Sequence, residues 1–241
     1  MKCLILAGGR GTRLGNLCEQ TNKCMLSVNG KRLLEYNLEC AAAADISEIV
    51  IVVGYQSNQI TAVFKDEFQG KKISYVFQKE QHGLVHAIEC AQEALGSDDF
   101  MLMLGDEFLV HPRHRQMIQE FSRGQLFGMC GVVTVSDMEL IRKTYAVIQE
   151  QDGRIIRLIE KPLRPWNAMM GTGNCIFKNE IFSYIGQTPI NQKRGEKELP
   201  DLIQCAIDEG KLVHPFVICE HYVNVNKPEE VEKAESYFSH P

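Results

Sequence analysis

No stretch of this 241-residue chain approaches the roughly 18 uninterrupted apolar residues that a membrane-crossing helix needs. The apolar run Cys3–Ala7 is also much shorter than the core of a secretory signal. A membrane is therefore not an expected partner, and cytoplasmic placement is the expectation. C-x-x-C pairs are absent as well. The nine cysteines are odd in number and scattered, so they read as reduced, mostly buried thiols rather than a disulfide frame. His82 and His86 lie four apart without a third ligand, and a metal grip there is not expected. Cations are in short supply too, with 26 Lys and Arg against 31 Asp and Glu for a net charge of -5. A broad nucleic-acid surface requires clustered cations, so nucleic acid is excluded as a partner and any polyanion must meet a local pocket. Low-complexity tracts, fixed-period repeats and linker-like Pro/Gly/Ser stretches are missing. What remains is 44% hydrophobic and 24% charged, the profile of an ordinary globular chain, and its length suits one large α/β domain over residues 1–241.

The chain alternates apolar runs with helical patterns. KCLILA (Lys2–Ala7) and EIVIVV (Glu48–Val53) are continuous hydrophobic segments with β-branched character, expected of strands buried on both faces of a parallel sheet. Lys72–Phe77, Phe100–Leu104, Leu126–Val135 and Val213–Ile218 read as further strands. Helices are expected at Leu33–Ala44, Leu84–Ala94, Arg115–Phe121, Leu199–Glu209 and Pro228–Phe238. The pattern predicts a doubly wound, Rossmann-like, mostly parallel mixed sheet with helices on both faces. Asp152-Gly153, flanked by alternating apolar residues, adds an antiparallel hairpin in the second half.

Immediately after the first expected strand comes GGRGTR. A loop at the carboxyl end of a strand lies where open α/β sheets bind ligands, and Gly8, Gly9 and Gly11 let backbone N–H groups approach an anion. Arg13 and Lys23 add positive charge at the same mouth. Leu14 stands where a dinucleotide fingerprint needs glycine, which disfavours a hydride-transferring dehydrogenase, and the G-K-[ST] of a Walker A loop is absent. Asp106 ends the apolar FMLMLG run; a carboxylate at such a place calls for a cation, with a helix N-cap as the bland alternative.

LAGGRGTRL (Leu6–Leu14), followed by Lys23 in TNKCMLSVNGKRLLEY, resembles the signature of the sugar-1-phosphate nucleotidyltransferases. The resemblance continues in order through Gln78 and Gly83 in QKEQHGLVHA, Asp106 in LMLGDEFL, Tyr145 in TYAVIQEQDGRI, Glu160-Lys161-Pro162, Gly171-Thr172-Gly173, RGEKELPD and YVNVNKPEE. It implies joining of an NTP to a sugar 1-phosphate with release of pyrophosphate. Residues 1–110 would mainly hold the nucleotide and 111–241 mainly the acceptor. By resemblance, Leu6, Ala7, Gly8, Gly9, Gly11 and Thr12 would support the nucleotide, and Arg13 and Lys23 would neutralise the departing pyrophosphate. Gln78 and Gly83 would meet the base, since a glutamine amide suits the imide edge of thymine or uracil. Tyr145, Glu160, Lys161 and Gly173 would form the acceptor site. Asp106 would ligate Mg²⁺, with Asn224 or Asn226 as the second ligand. Relatives are often oligomers, so a homo-oligomer stays open.

Three departures from the family pattern stand out. Asn22-Lys23-Cys24 replaces the usual P-K-P and loses the prolines that stiffen the lysine loop. Ala146 replaces a glycine beside the sugar-site tyrosine, which would alter the sugar's seat. The usual second aspartate is an asparagine, giving weaker metal affinity. Asn224 aligns with sugar-type relatives, whereas Asn226, before Lys227-Pro228-Glu229-Glu230, aligns with cytidylyltransferase-like ones. Trp166, the single tryptophan, is either core or an acceptor-site platform for a sugar or quaternary amine. Two other readings therefore stay open: a cytidylyltransferase acting on phosphocholine, a phosphonate or a similar acceptor, and a regulatory nucleotide-binding homologue with little turnover.

Overall fold

The computed structural model describes residues 1–11, 13, 14, 18 and 20–238. Its centre is a ten-stranded mixed sheet. Strands β1 (Lys2–Ala7), β2 (Ile49–Val53), β3 (Lys71–Phe77) and β4 (Phe100–Leu104) run parallel in the order β4-β1-β2-β3, with the short strand Glu67–Phe68 at the edge. Every residue of β2 is buried. That placement accounts for the unbroken IVIVV run, each side chain contributing about 1.5–3 kcal/mol through burial.

Alternate residues of β1 and β2 feed two cores. Ile5, Ile51 and Val53 join one face with Leu34 and Leu38 of helix α1 (Leu33–Ala43) and Ile60 and Phe64 of helix α2 (Ser57–Phe64). Leu4, Val50 and Val52 join the other with Val85 and Ile88 of helix α3 (Leu84–Cys90). Helices therefore cover both sides, as the alternation in sequence implies. α3 is shorter than its apolar pattern predicts: it stops at Ala91, and a separate turn of helix spans Gln92–Leu95.

Between β4 and the next sheet strand lie a short strand β5 (Glu107–Val110) and helix α4 (His114–Arg123). The second half then adds β6 (Gly128–Thr134), β7 (Tyr145–Gln149), β8 (Ile155–Glu160), β9 (Met169–Phe177) and β10 (Val213–Val217). β7 and β8 form the antiparallel hairpin around Asp152-Gly153, where Gly153 has φ +88°. The nine-residue β9 joins the halves: Tyr145 and Ala146 of β7 pair with its first part, and Phe100–Leu102 of β4 pair with its last. Its other edge lies along β6, with the register broken between Gly171 and Cys175. Outside the sheet, β11 (His221–Asn224) pairs antiparallel with β5, and helices α5 (Leu199–Asp208) and α6 (Pro228–Ser236) complete the order.

Candidate active site

The carboxyl ends of β1 and β4 open into a cleft of about 530 Å³. Leu6, Ala7, Gly8, Gly9, Gly11, Arg13, Lys23, Gln78, Gly83, Asp106, Tyr145, Glu160, Lys161, Gly173, Asn224 and Asn226 all line it. Residues from both halves of the chain thus meet at one place. Thr12 lies outside the described residues.

The glycine turn is tight. Gly11 has φ +64°, and a Cβ there would lie 3.1 Å from both the Cys18 Sγ and the Lys23 Cβ. Lys23 itself is held by Asn22, which takes over the work expected of a proline. The Asn22 Nδ2 donates to the carbonyls of Ala7 (3.0 Å) and Tyr55 (2.7 Å), while its Oδ1 accepts from the Cys24 backbone N–H (2.8 Å), capping the short turn Lys23–Met25. The Asn22 N–H also donates to the Gln59 Oε1 at 2.9 Å and its carbonyl accepts from the Met25 N–H at 2.9 Å, which fixes a residue that is fully buried. The lysine loop is therefore rigid by hydrogen bonding instead of by ring closure.

The Lys23 ammonium donates to the Asp106 carboxylate and to the Asn226 Oδ1 at 2.8 Å. Pairing of β5 with β11 explains this convergence, because Glu107 stands opposite Asn224 and the Val225 N–H donates to the Asp106 carbonyl at 3.0 Å. The Asn226 Nδ2 donates in turn to the Asn224 Oδ1 at 2.6 Å. A carboxylate and one amide oxygen thus face a cation, while the other asparagine orients that amide. This hard-oxygen set, already gathered around an ammonium, fits a divalent ion.

At the other end, the Lys161 Nζ lies 2.8 Å from the Glu160 Oε1, and the Arg194 guanidinium lies 3.0 Å from Glu198 and 3.8 Å from Glu160. Burial pushes the Glu160 carboxyl up, with Lys161 and Arg194 pulling the other way. The Tyr145 hydroxyl donates to the Thr172 carbonyl at 2.8 Å, so this residue offers the cleft its ring. Arg194, Glu196 and Glu198 line the cleft where only their segment is singled out in sequence, Glu107 carries no signal of its own, and Asn22 stands out there only as a missing proline.

Two expectations need correction. Ala146 lies in the core cluster on the opposite face of β7 from Tyr145 and does not line the cleft, so its methyl leaves the acceptor's seat unaltered. Trp166 is neither core nor cleft wall; it is 83% exposed. Its loop contains Pro162 and Pro165 and is fastened by the Asn167 Nδ2 to the Val147 carbonyl at 2.9 Å, which carries the indole outward. His86, set aside as a metal ligand, has a different partner: the Gln78 Nε2 lies 3.0 Å from its Nδ1.

An open α/β sheet with a glycine turn after its first strand, a paired lysine and aspartate, and Lys161 and Arg194 at the other end of the same cleft suits a protein that handles phosphorylated ligands. A family model described as nucleotidyl transferase matches residues 2–221, and the chain belongs to that family. It is 33% identical over 225 residues to a glucose-1-phosphate thymidylyltransferase of Streptomyces griseus, covering 92% of this chain and 61% of that protein. It is 30% identical over 237 residues to the UTP--glucose-1-phosphate uridylyltransferase AglF of Haloferax volcanii, covering 98% of this chain and 95% of that protein. A solved structure of UDP-glucose pyrophosphorylase complexed with UDP-glucose shares the fold at TM-score 0.89 and 22% identity, with 99% of this chain and 98% of that one covered.

Proposed function

We propose that this protein joins dTTP or UTP to a sugar 1-phosphate, releasing pyrophosphate and an NDP-sugar. The carrying observation is the single cleft in which Arg13, Lys23 and Asp106 meet Lys161, Glu160 and Tyr145. Residues 1–110 supply most of the nucleotide site and 111–241 most of the acceptor site, with Asn224 and Asn226 reaching back to the metal position.

The glycine turn presents backbone N–H groups to the triphosphate. Arg13, exposed at the cleft, and Lys23 neutralise charge that grows on the departing pyrophosphate. Lys161 leaves Glu160 to hold the acceptor phosphate, and Glu160 is then free for sugar hydroxyls. An acceptor phosphate is already largely ionised near neutral pH, so alignment and neutralisation suffice without a general base. Asp106 and the Asn226 Oδ1 would hold Mg²⁺, with Asn224 orienting Asn226. Held there, the ion would offset negative charge on the phosphates. Among the described residues no helix is long and apolar enough to cross a membrane. We place the protein in the cytoplasm, where its unpaired cysteines stay reduced.

One observation favours a second reading. Asn226, the asparagine that aligns with cytidylyltransferase-like relatives, is the one facing Lys23. CTP with a small phosphorylated acceptor is therefore the competing pair. Pyrophosphate release measured across five NTPs and a panel of sugar 1-phosphates, phosphocholine and a phosphonate decides between them. Turnover with dTTP or UTP and a sugar 1-phosphate is the expected result. A preference for CTP and phosphocholine overturns it, and absence of turnover with every pair favours a regulatory protein.

A further inference from the structure

Glu107 is buried, at 2% exposure, directly beside Asp106, yet it takes no part in the reaction outlined above. Its side chain leaves β5 and crosses to the break in β9. The Gly173 N–H donates to its Oε1 at 2.9 Å and the Asn174 Nδ2 to its Oε2 at 2.7 Å. From β11 the Tyr222 hydroxyl donates to the Oε1 at 2.5 Å. Three strands are thus tied to one carboxyl group. The approach is close enough to dictate its neighbour: a Cβ on Gly173 would fall 2.2 Å from the Leu104 Cγ and 3.0 Å from the Glu107 Oε1.

The orientation of Asn174 is itself enforced. Its Oδ1 lies 2.7 Å from the His114 Nε2, and the His114 Nδ1 is buried without a partner. A bare ring nitrogen tolerates that position far better than an N–H would, so the proton sits on Nε2 and donates to Asn174. The Asn174 amide nitrogen must then point at Glu107. A chain of side chains from α4 through β9 therefore ends on the residue adjoining Asp106. It works in either protonation state of Glu107, because the Tyr222 hydroxyl donates to a carboxylate and accepts from an acid.

We propose that Glu107 is a positioning residue that fixes the β5–β11 ribbon, and with it Asp106 and Asn226, against the acceptor strand β9. This rests on the reading of Asp106 and Asn226 as the divalent-ion site. Break the tie and the ribbon loses its registration to the acceptor strand, while the glycine turn and Gln78 keep theirs.

Mn²⁺ binding to the enzyme–UTP complex, followed by electron paramagnetic resonance without acceptor, tests this on the full chain. In either orientation, Glu107→Gln sets its amide N–H₂ against the Asn174 N–H₂ or against the Gly173 N–H, and it is expected to weaken Mn²⁺ binding about tenfold or more. Binding of UTP in the absence of metal is expected to stay unchanged. Adding Asn174→Asp restores an acceptor for both the introduced amide and His114, and the double variant is expected to recover Mn²⁺ binding and the kcat lost by the single one. Tyr222→Phe, which removes one donor and keeps the ring, should loosen Mn²⁺ in the same direction by less. Unchanged Mn²⁺ affinity in Glu107→Gln overturns the proposal. So does a loss shared equally by metal-free UTP binding, or a folded double variant that recovers nothing. Failure of the unmodified protein to bind Mn²⁺ with UTP would instead sink the underlying site assignment.

Discussion

At Gln78 the amide has only one way round. Its Nε2 lies 3.2 Å from the Gly83 carbonyl, which can only accept, and 3.0 Å from the His86 Nδ1. The Oε1 is left near Gly8, where an added Cβ would come within 3.2 Å of it, so the cleft is offered an acceptor. Uracil and thymine carry a donor at N3 and cytosine an acceptor, so under the proposed placement of the base this orientation, set by Gly83 and supported by His86, would favour the first pair. His86→Ala is expected to lower the ratio of kcat/KM for UTP or dTTP over CTP about fivefold, equivalent to one hydrogen bond of about 1 kcal/mol. An unchanged ratio would remove His86 from base selection. Among the described residues Arg13 has no such scaffold; it stands exposed at the cleft. In the proposed reaction its charge would count most when pyrophosphate departs, so Arg13→Ala should lower kcat about 100-fold while the KM for NTP changes far less. A loss confined to KM would make Arg13 a ground-state binding residue.

Among the elements, the β5–β11 ribbon carries the metal assignment, and it separates two asparagines that the sequence leaves equivalent. Asn226→Asp puts a second carboxylate on the Lys23 ammonium and should lower the Mg²⁺ concentration for half-maximal activity about tenfold. Asn224→Asp keeps an acceptor for the Asn226 Nδ2 and should change it much less; the opposite order would exchange their roles. These elements were unequally legible beforehand. β1, β2 and β4 stand out because they are buried on both faces, and their ends fix where the glycine turn and Asp106 must lie. β9 carries no such pattern: Gly171-Thr172-Gly173-Asn174 interrupts its apolar residues, and the strand exists because two partners share one of its edges. α2 buries only Ile60 and Phe64, too faint a stripe to read in eight residues. The roles of Asn22 and Glu107 were illegible for a different reason. Their partners, Ala7, Tyr55, Gly173, Asn174 and Tyr222, lie far away along the chain, and a buried polar side chain is explained only by what it touches.

On the scale of the whole molecule, one sheet runs beneath both ends of the cleft, and β9 is its seam. The buried polar chain at that seam makes stability depend on pH. His114 is pushed by burial from an ordinary 6.5 down to about 4, with Asn174 resisting only in part. Folded protein keeps the ring neutral between those values, whereas the unfolded chain takes up a proton. More protons on the unfolded side means that stability falls as the solution is acidified. The contribution is complete above pH 6.5, declines from there, and is gone below about 4, in total about 3 kcal/mol. His114→Gln retains a donor for the Asn174 Oδ1 and abolishes the titration. Urea denaturation of both proteins from pH 7.5 to pH 4 isolates the effect, because the variant keeps the Asn174 bond, so Glu107, which burial pushes up to about 8, contributes to both proteins and largely cancels in the difference. The unmodified chain should lose stability more steeply than the variant below about pH 6.5. Parallel curves would mean that this imidazole takes up its proton at the same pH folded and unfolded, and that burial does not keep it neutral.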